Sequence, residues 1–207
     1  MKLSKSKLAI ILSKLDKIEE QNIGLEQYMT PSEVAAELLW SAAMRDEIKG
    51  RNAADLGCGN GLFGIGMLLL GANKAVFVEK SESSIAICRK NIQKIKEEFA
   101  VSGESEIIRA DINEFDEKVD IVMMNPPFGT KKKHADKEFL ERAFNSAETV
   151  YSIHKFPTRN FVERFSREKG FKITDEKRFL FPIAKSRPYH KKKAFNVDVA
   201  AWRFEKI

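Results

Sequence analysis

The residues best suited to chemistry follow an apolar run that begins at Val119 and ends in Asn125, Pro126, Pro127 and Phe128. The run is rich in Val, Ile and Met, which predicts a buried strand, and the prolines cannot continue that strand. Proline also holds the preceding residue extended, so the Asn125 amide and the Pro126 carbonyl are expected to project beyond the strand's carboxyl end. Two acceptor oxygens beside an aromatic ring suit a planar group that carries an NH2. These four residues are the predicted catalytic residues.

A glycine loop, Gly57-Cys58-Gly59-Asn60-Gly61, follows a short predicted strand over residues 52–56. Glycine permits a tight turn against a ligand, and the N–H groups at the start of the next helix suit an anion. The spacing is G-x-G-x-G, whereas a dinucleotide fold favours G-x-G-x-x-G, so NAD is disfavoured. The carboxylate of Asp55 would repel a pyrophosphate and suits an ammonium, as in a cofactor with an amino-acid part.

Two further acids follow the next two predicted strands. Glu79 comes 18 residues after Gly61, where an acid can accept both hydroxyls of a ribose. Asp111 follows the third strand, and its carboxylate can accept the amino group of an adenine. Carboxylates after three successive strands, with a glycine loop after the first, favour a cofactor site over unrelated helix caps.

The elements that position these residues alternate between strand and helix patterns. An amphipathic helix is predicted over residues 3–18, and a second runs to about residue 48 with a capping box of Thr30, Pro31 and Glu33. Ser81 is the predicted cap of a later helix. The predicted strands are 52–56, 75–78, 107–110, 119–124, 148–153, 171–182 and 195–204, with further helices at 65–70, 137–147 and 160–169. This alternation is typical of an α/β fold with a mostly parallel sheet.

The chain has 207 residues and a net charge of +6, and its charge is unevenly distributed. Residues 1–130 hold 16 Lys and Arg against 20 Asp and Glu, whereas residues 131–207 hold 20 against 10. The basic half begins just after Phe128, which favours a polyanionic partner on that side of the motif. The length suits a single domain over 1–207, with an N-terminal extension over 1–49 and a catalytic core over 50–207.

Other classes of function find little support in the sequence. No run has the roughly 18 apolar residues of a membrane span. The two cysteines, Cys58 and Cys88, lack the spacing of a zinc site or a disulfide framework, so a reducing, cytoplasmic location is expected. The three histidines are too scattered to predict a metal site, and no nucleophile, base and orienter set is apparent.

Together these motifs resemble those of class I S-adenosylmethionine-dependent methyltransferases, which use N-P-P-F to act on adenine, guanine or glutamine nitrogens. The likeness narrows to the methyltransferase-like protein 5 family over nearly the whole chain. It is carried by the stretches at 25–30, 125–131, 151–155 and 190–193. Met29 departs from the proline expected in many relatives.

The resemblance implies a Rossmann-like, seven-stranded sheet whose last strand is antiparallel, with helices on both faces. It implies N6-methylation of adenosine in small-subunit ribosomal RNA, S-adenosylmethionine as cofactor, and a Trm112-like zinc-ribbon protein as a heterodimer partner. The partner is expected at the sheet edge near Ile107 and Ile108. The predicted cofactor-binding residues are Gln27, Tyr28, Thr30, Asp55, Gly57, Cys58, Gly59, Asn60, Gly61, Glu79, Lys80, Asp111, Ile112 and Asn125. The predicted RNA-binding residues are Lys131, Lys132, Lys133, His154, Lys155, Lys191, Lys192 and Lys193.

Three alternatives stay open on the sequence. A release-factor glutamine methyltransferase and a guanine N2 methyltransferase also carry N-P-P followed by an aromatic residue. Phe128 and the basic half of the chain favour RNA over a glutamine side chain. A non-catalytic RNA-binding or ribosome-assembly protein could retain the fold, although the intact Asp55, Glu79 and Asn125 argue against it.

Overall fold

The computed structural model describes residues 3–18, 29–128, 135–184 and 194–207. Seven strands and six α-helices occur in these ranges, in the predicted alternation. The strands are β1 Asn52–Leu56, β2 Lys74–Glu79, β3 Glu104–Arg109, β4 Ile121–Met124, β5 Thr149–Lys155, β6 Phe171–Ala184 and β7 Ala194–Lys206. The helices are α1 Lys5–Ser13, α2 Ser32–Ala43, α3 Leu62–Leu69, α4 Glu82–Glu98, α5 Ala135–Ser146 and α6 Arg159–Glu168.

The strands form one sheet in the order β3-β2-β1-β4-β5-β7-β6. The first five strands are parallel to one another, and β7 is antiparallel to both β5 and β6. The prediction of seven strands with an antiparallel last strand is therefore confirmed. Because parallel strands end at the same edge, the segments after β1, β2, β3 and β4 meet there.

Apolar packing covers both faces of the sheet. In β4, Ile121 and Met123 face a core shared with α1 to α4, whereas Val122 and Met124 face a second core shared with α5 and α6. All four are at most 1% exposed. This two-sided burial explains why β4 is apolar throughout, as strands of parallel sheets usually are. Helices on both faces were predicted, and that prediction is confirmed.

The start of α2 differs from its prediction. Pro31 is the N-cap of the helix and no side chain caps it, so the predicted capping box of Thr30 and Glu33 was wrong. The Thr30 hydroxyl instead accepts a hydrogen bond from the Asn125 side chain, at 3.0 Å. A local sequence rule failed here because a group 95 residues away occupies the hydroxyl.

Strands β6 and β7 extend past the rest of the sheet at the edge where the parallel strands end. Pairing of β5 with β7 stops at Lys155 and Val199, but β6 and β7 remain paired as far as Ala184 and Ala194. The projecting part is a two-stranded ribbon, and its Phe181 packs against Phe128 with ring centroids 6.5 Å apart. The ribbon therefore stands beside the Asn-Pro-Pro-Phe segment.

Within the described ranges, no helix combines the length and the apolar character that crossing a membrane requires.

Candidate active site

A cavity of about 420 Å³ lies at the carboxyl edge of the sheet, where the motif residues converge. Eleven of the predicted cofactor-binding residues line it: Thr30, Asp55, Gly57, Cys58, Gly59, Asn60, Glu79, Lys80, Asp111, Ile112 and Asn125. This set includes residues at or just after the carboxyl ends of β1, β2, β3 and β4. The volume is within the range of pockets that hold small-molecule ligands.

The glycine loop owes its composition partly to packing beneath it. Gly57 has φ +70°, and a Cβ there would approach the Phe139 ring of α5 to 2.9 Å. Gly61 has φ +88° and is the N-cap of α3, where a Cβ would meet the Cys88 sulfur at 2.8 Å. Both positions exclude other residues through backbone strain and close contact. Gly61 therefore allows the turn that starts α3 but does not line the cavity, whereas Gly57 does line it.

Asp55 is buried at the end of β1, and its carboxylate is held by the start of α3. Its Oδ2 accepts the Gly64 backbone N–H at 2.8 Å, and 2% of the residue is exposed. Burial raises the pKa of Asp55 to about 7, and the charge of Glu79 adds to that rise. The Gly64 N–H opposes the rise because it stabilises the charged form. A cation in the cavity would therefore find a carboxyl group that ionises near neutral pH.

Glu79 is fixed by three backbone N–H groups. Its Oε1 accepts from Lys80 and Ser81, each at 2.9 Å, and its Oε2 accepts from Gly59 at 3.2 Å. The Gly59 contact ties the end of β2 to the loop after β1. The three N–H groups thereby fix the orientation of the carboxylate.

Asp111 lies at the cavity but is about half exposed. Its side chain accepts from the Asn113 backbone and caps a short 3-10 helix, Ile112–Glu114, in a capping box with Glu114. The ammonium of Lys80 lies 3.8 Å from Oδ2. The helix cap orients Asp111, while Lys80 offers a cation on the same side of the cavity.

The Asn-Pro-Pro-Phe segment contributes Asn125 and Pro127 to the lining of the cavity. The Asn125 Nδ2 donates to the Thr30 hydroxyl at 3.0 Å. This contact fixes the plane of the amide and with it the direction of the acceptor Oδ1. Thr30 is 9% exposed, so this contact is sheltered from solvent. The start of α2 therefore sets the orientation of the amide at the end of β4.

Phe128, one of the four predicted catalytic residues, has a ring that its neighbours largely enclose. It is 6% exposed and packs against Phe181, while the Lys155 ammonium lies 6.0 Å from its centroid. The described residues that line the cavity include Pro127 but neither Pro126 nor Phe128. In this structure the ring belongs to the contact between the motif and the β6–β7 ribbon.

The prediction that His154 contacts RNA was wrong. The residue is 1% exposed, its Nε2 lies 2.7 Å from the Ser152 hydroxyl, and its ring stacks on Trp202. Burial lowers the pKa of His154 to about 3, so the imidazole is neutral at physiological pH. Side chains alternate along a strand, which turns Lys155 to the face that carries Phe128 and leaves His154 in the opposite core.

Other predicted residues lie outside the described ranges. They are Gln27, Tyr28, Lys131, Lys132, Lys133, Lys191, Lys192 and Lys193.

Several residues that line the cavity or support its loop were not predicted from the sequence as site residues. Ile18 lines the cavity, although the sequence predicts it as the last residue of the first helix, which ends at Ser13 in the structure. Phe139 lines it from α5, and Ser83 and Ser84 line it from the start of α4. Asn91 lies beneath the loop, fully buried in α4. Its position between Cys88 and Ile95, at helical spacing on the buried face, was the available signal.

The chain matches the methyltransferase small domain family over residues 32–153. It is 33% identical to the rRNA N(6)-adenosine-methyltransferase Mettl5 of Drosophila melanogaster, over 96% of this chain and 95% of that protein. Identity to the rRNA N(6)-adenosine-methyltransferase METTL5 of Danio rerio is also 33%, over 93% of this chain and 94% of that protein.

The fold is similar to the crystal structure of PH1948 from Pyrococcus horikoshii, which was solved as a candidate RNA methyltransferase. The two chains share 40% identity with a TM-score of 0.86, and the likeness covers 98% of each. The cavity thus belongs to a fold shared over almost the entire length.

Stability should depend on pH through Asp55. Its pKa is about 7 when folded and about 3.9 when unfolded, so the folded state holds the proton more tightly between these values. The free energy of unfolding should therefore fall as pH rises from about 4 to about 7, and level off above. Asp55→Asn keeps an acceptor for Gly64 and should lose this component.

Urea denaturation of the ligand-free protein across this pH range tests the expectation. The stability of Asp55→Asn relative to the parental protein should increase as pH rises. Asp116→Asn, at an exposed aspartate, is the matched control and should show no such trend. Parallel pH profiles for the parental protein and Asp55→Asn would refute the assignment.

Proposed function

We propose that this chain, which belongs to the methyltransferase small domain family and to the METTL5 family of rRNA N6-adenosine methyltransferases, methylates adenosine N6 in ribosomal RNA. One observation carries the proposal beyond family membership. An oriented Asn125 amide stands at the end of β4, on the wall of a cavity whose other walls carry Asp55, Glu79 and Asp111. The site thus has a target side and a cofactor side.

The cofactor side fits S-adenosylmethionine, which supplies a methyl group activated by a positively charged sulfur. Glu79, fixed by three N–H groups, would accept the two ribose hydroxyls. Asp111 and Ile112 would hold the adenine, and Asp55 with the glycine loop would hold the amino-acid part. Three carboxyl groups around one cavity disfavour a phosphate-bearing cofactor and suit an ammonium with neutral donors.

On the target side, the task of the chain is to orient a weakly nucleophilic amine. The lone pair of adenine N6 is delocalised into the ring, and two acceptors can draw its hydrogens out of the ring plane. The Asn125 Oδ1 and the Pro126 carbonyl are the acceptors we assign. Thr30 keeps Oδ1 directed because its hydroxyl holds the other end of the amide. Positioning supplies most of the rate, and no strong base is required.

Phe128 is the proposed stacking partner of the extruded base. Since its ring is 6% exposed against Phe181, base capture must first uncover it. Enzymes that modify bases commonly take the base out of its stack into a pocket. The contact with Phe181 therefore links base capture to the β6–β7 ribbon.

The ribbon and its neighbouring lysines are the proposed RNA-binding surface. The ribbon projects at the edge that holds the cavity, and the sequence between its strands contains Lys191, Lys192 and Lys193. Lys155 lies over the ring of Phe128 and adds charge at the motif. Lys131, Lys132 and Lys133 follow the motif in sequence. Phosphate binding by such lysines would position the RNA without reading its sequence.

A Trm112-like zinc-ribbon protein is the proposed partner at β3. This strand lies at the outer edge of the sheet formed by the described strands, and its Ile107 and Ile108 are half-buried. An open edge with partly exposed apolar residues can add a strand from another chain. We further propose that residues 1–207 form one methyltransferase domain and that the protein acts in the cytoplasm.

The first prediction from the proposed function separates the target side of the site from its cofactor side. Asn125→Ala should lower the single-turnover methylation rate on the order of 100-fold, because it removes an acceptor used in the transition state. Thr30→Val keeps the volume but removes the acceptor for Asn125, and should slow methylation about tenfold. Thr30→Ser keeps the hydroxyl and is the matched control.

Rates would be measured with adenine-containing RNA beside the affinity for S-adenosylmethionine, which Asn125→Ala should change far less than the rate. RNA with guanine at the target and a release-factor glutamine peptide serve as competing substrates. Methylation by Asn125→Ala at the parental rate would contradict the assigned role. Methyl transfer to guanine or glutamine alone would contradict the proposed target.

The second prediction concerns the lysines. Changing Lys191, Lys192 and Lys193 to Ala should weaken binding to all RNA sequences alike. Each lost phosphate contact should reduce the slope of log affinity against log salt by roughly 0.7 to 0.9. The matched control is a triple alanine variant at Lys49, Arg51 and Lys118, near the amino ends of the strands. Equal slopes for the two triple variants would remove the ribbon from the RNA-binding surface.

The third prediction concerns the partner. Co-expression with a Trm112-like protein should give a stable heterodimer in which the amides of β3 exchange hydrogen more slowly than in the isolated chain. The amides of α6 serve as the internal control, because this helix directly precedes β6, the strand at the opposite end of the sheet from β3. A fully active monomer whose β3 exchange is unchanged by the zinc-ribbon protein would argue against this partner.

A further inference from the structure

Asn91 is a fully buried amide in α4 that makes contacts unlike those of an ordinary core residue. Its Oδ1 accepts the Asp16 backbone N–H at 2.8 Å, and its Nδ2 donates to the Asp16 carbonyl at 3.1 Å. The same Nδ2 donates to the carbonyl of Asn60, in the glycine loop, at 3.0 Å. One side chain thereby joins the segment after α1 to the loop after β1.

The Asn60 side chain completes the junction from the other direction. Its Nδ2 donates to the Asp16 carbonyl at 3.1 Å, so that carbonyl accepts from two amides. Asn60 is 6% exposed and Asn91 is 0% exposed. These hydrogen bonds are costly to break, because the buried amides of Asn60 and Asn91 would lose their partners away from water.

Ion pairs reinforce the junction at the surface. The carboxylate of Asp16 pairs with Lys90 at 2.6 Å and lies 3.9 Å from Lys94, and the Lys94 ammonium also donates to the Lys14 carbonyl. Lys90 is 73% exposed, so its pair contributes little in salt. The buried amides are the main source of the fixed position.

Two residues beyond Asp16, the chain reaches the cavity. Ile18 lines it, and a Cβ on Gly59 would lie 3.5 Å from the Ile18 Cδ1. Ile18 therefore packs on the glycine loop at the point where the loop faces the cavity. Asn91 therefore holds both Asp16, two residues before Ile18, and the glycine loop on which Ile18 packs.

We propose that Asn91 is a positioning residue for the cofactor: it fixes the segment 14–18 on the glycine loop, so that Ile18 forms a wall of the cofactor cavity. This inference rests on the proposed function, because it assigns the cavity to S-adenosylmethionine. It adds a residue that does not line the cavity and a segment outside the 32–153 match to the family. This role differs from core packing, because it predicts specific changes in the affinity for S-adenosylmethionine and in the hydrogen exchange of residues 14–18.

The test compares Asn91→Ala, Ile18→Ala and the control Gln93→Ala, an exposed position on the same helix. Hydrogen exchange of residues 14–18 is measured without cofactor, and the Kd of S-adenosylmethionine is measured by calorimetry. Asn91→Ala should accelerate the exchange and raise Kd about tenfold, as for the loss of well-made hydrogen bonds. Ile18→Ala should raise Kd without requiring any change in the fold, and Gln93→Ala should change neither quantity.

The double variant distinguishes positioning from general destabilisation. If Asn91 acts through Ile18, the two substitutions should be non-additive, so the double variant should bind much like Asn91→Ala. At saturating cofactor, Asn91→Ala, Ile18→Ala and the double variant should approach the parental kcat, while their KM for the cofactor rises.

Additive effects, parental exchange in Asn91→Ala, or parental Kd in Ile18→Ala would each overturn the inference. The exchange readout needs no ligand, so it tests the position of residues 14–18 independently of the cofactor. A parental protein that binds no S-adenosylmethionine overturns the proposed function and with it the role of Asn91. Equal cofactor affinity in parental protein and variants overturns the role of Asn91 alone.

Discussion

The structure depends on how the backbone N–H groups at the ends of the parallel strands are satisfied. Both faces of the sheet are buried, so polar groups gather at the edge where β1, β2 and β3 end. There the carboxylates of Asp55, Glu79 and Asp111 each accept backbone N–H groups, from the start of α3 for Asp55 and from the following turn for the other two. Such charge-assisted bonds stabilise the turns and at the same time orient the acids. One constraint thus serves both the fold and the cavity.

Much of the fold was predictable because its signals are local. Apolar runs, glycine turns and helix spacing identified all seven strands and the cap at Ser81. The acids of the cavity were predictable from position, because each lies within two residues of the carboxyl end of a strand. The capping box at Thr30 was not, since the partner of its hydroxyl lies 95 residues away. Asn91 was missed for the same reason: its partners Asp16 and Asn60 are 75 and 31 residues away.

The residues around the motif show the limit of reading position from proximity in sequence. His154 and Lys155 are neighbours, yet one is enclosed beside Trp202 and the other lies over Phe128. Strand alternation separates them, but the sequence does not say which face adjoins the cavity. Phe128 is similar, because its contact with Phe181 depends on how far the β6–β7 ribbon extends past β5. The residue types around the motif therefore indicated which groups the site could use, but not which of these side chains are exposed.

The order of the strands has a consequence for synthesis on the ribosome. Strand β7 lies between β5 and β6, and among the described strands it is the one that joins β6 to the sheet. The nascent chain can pair its first five strands early, but β6 must wait until β7 has been translated. Phe128 gains its contact with Phe181 only after that event. The contact between the Asn-Pro-Pro-Phe segment and the ribbon therefore forms last, so a partly translated chain could form the cavity while the ring of Phe128 is still uncovered.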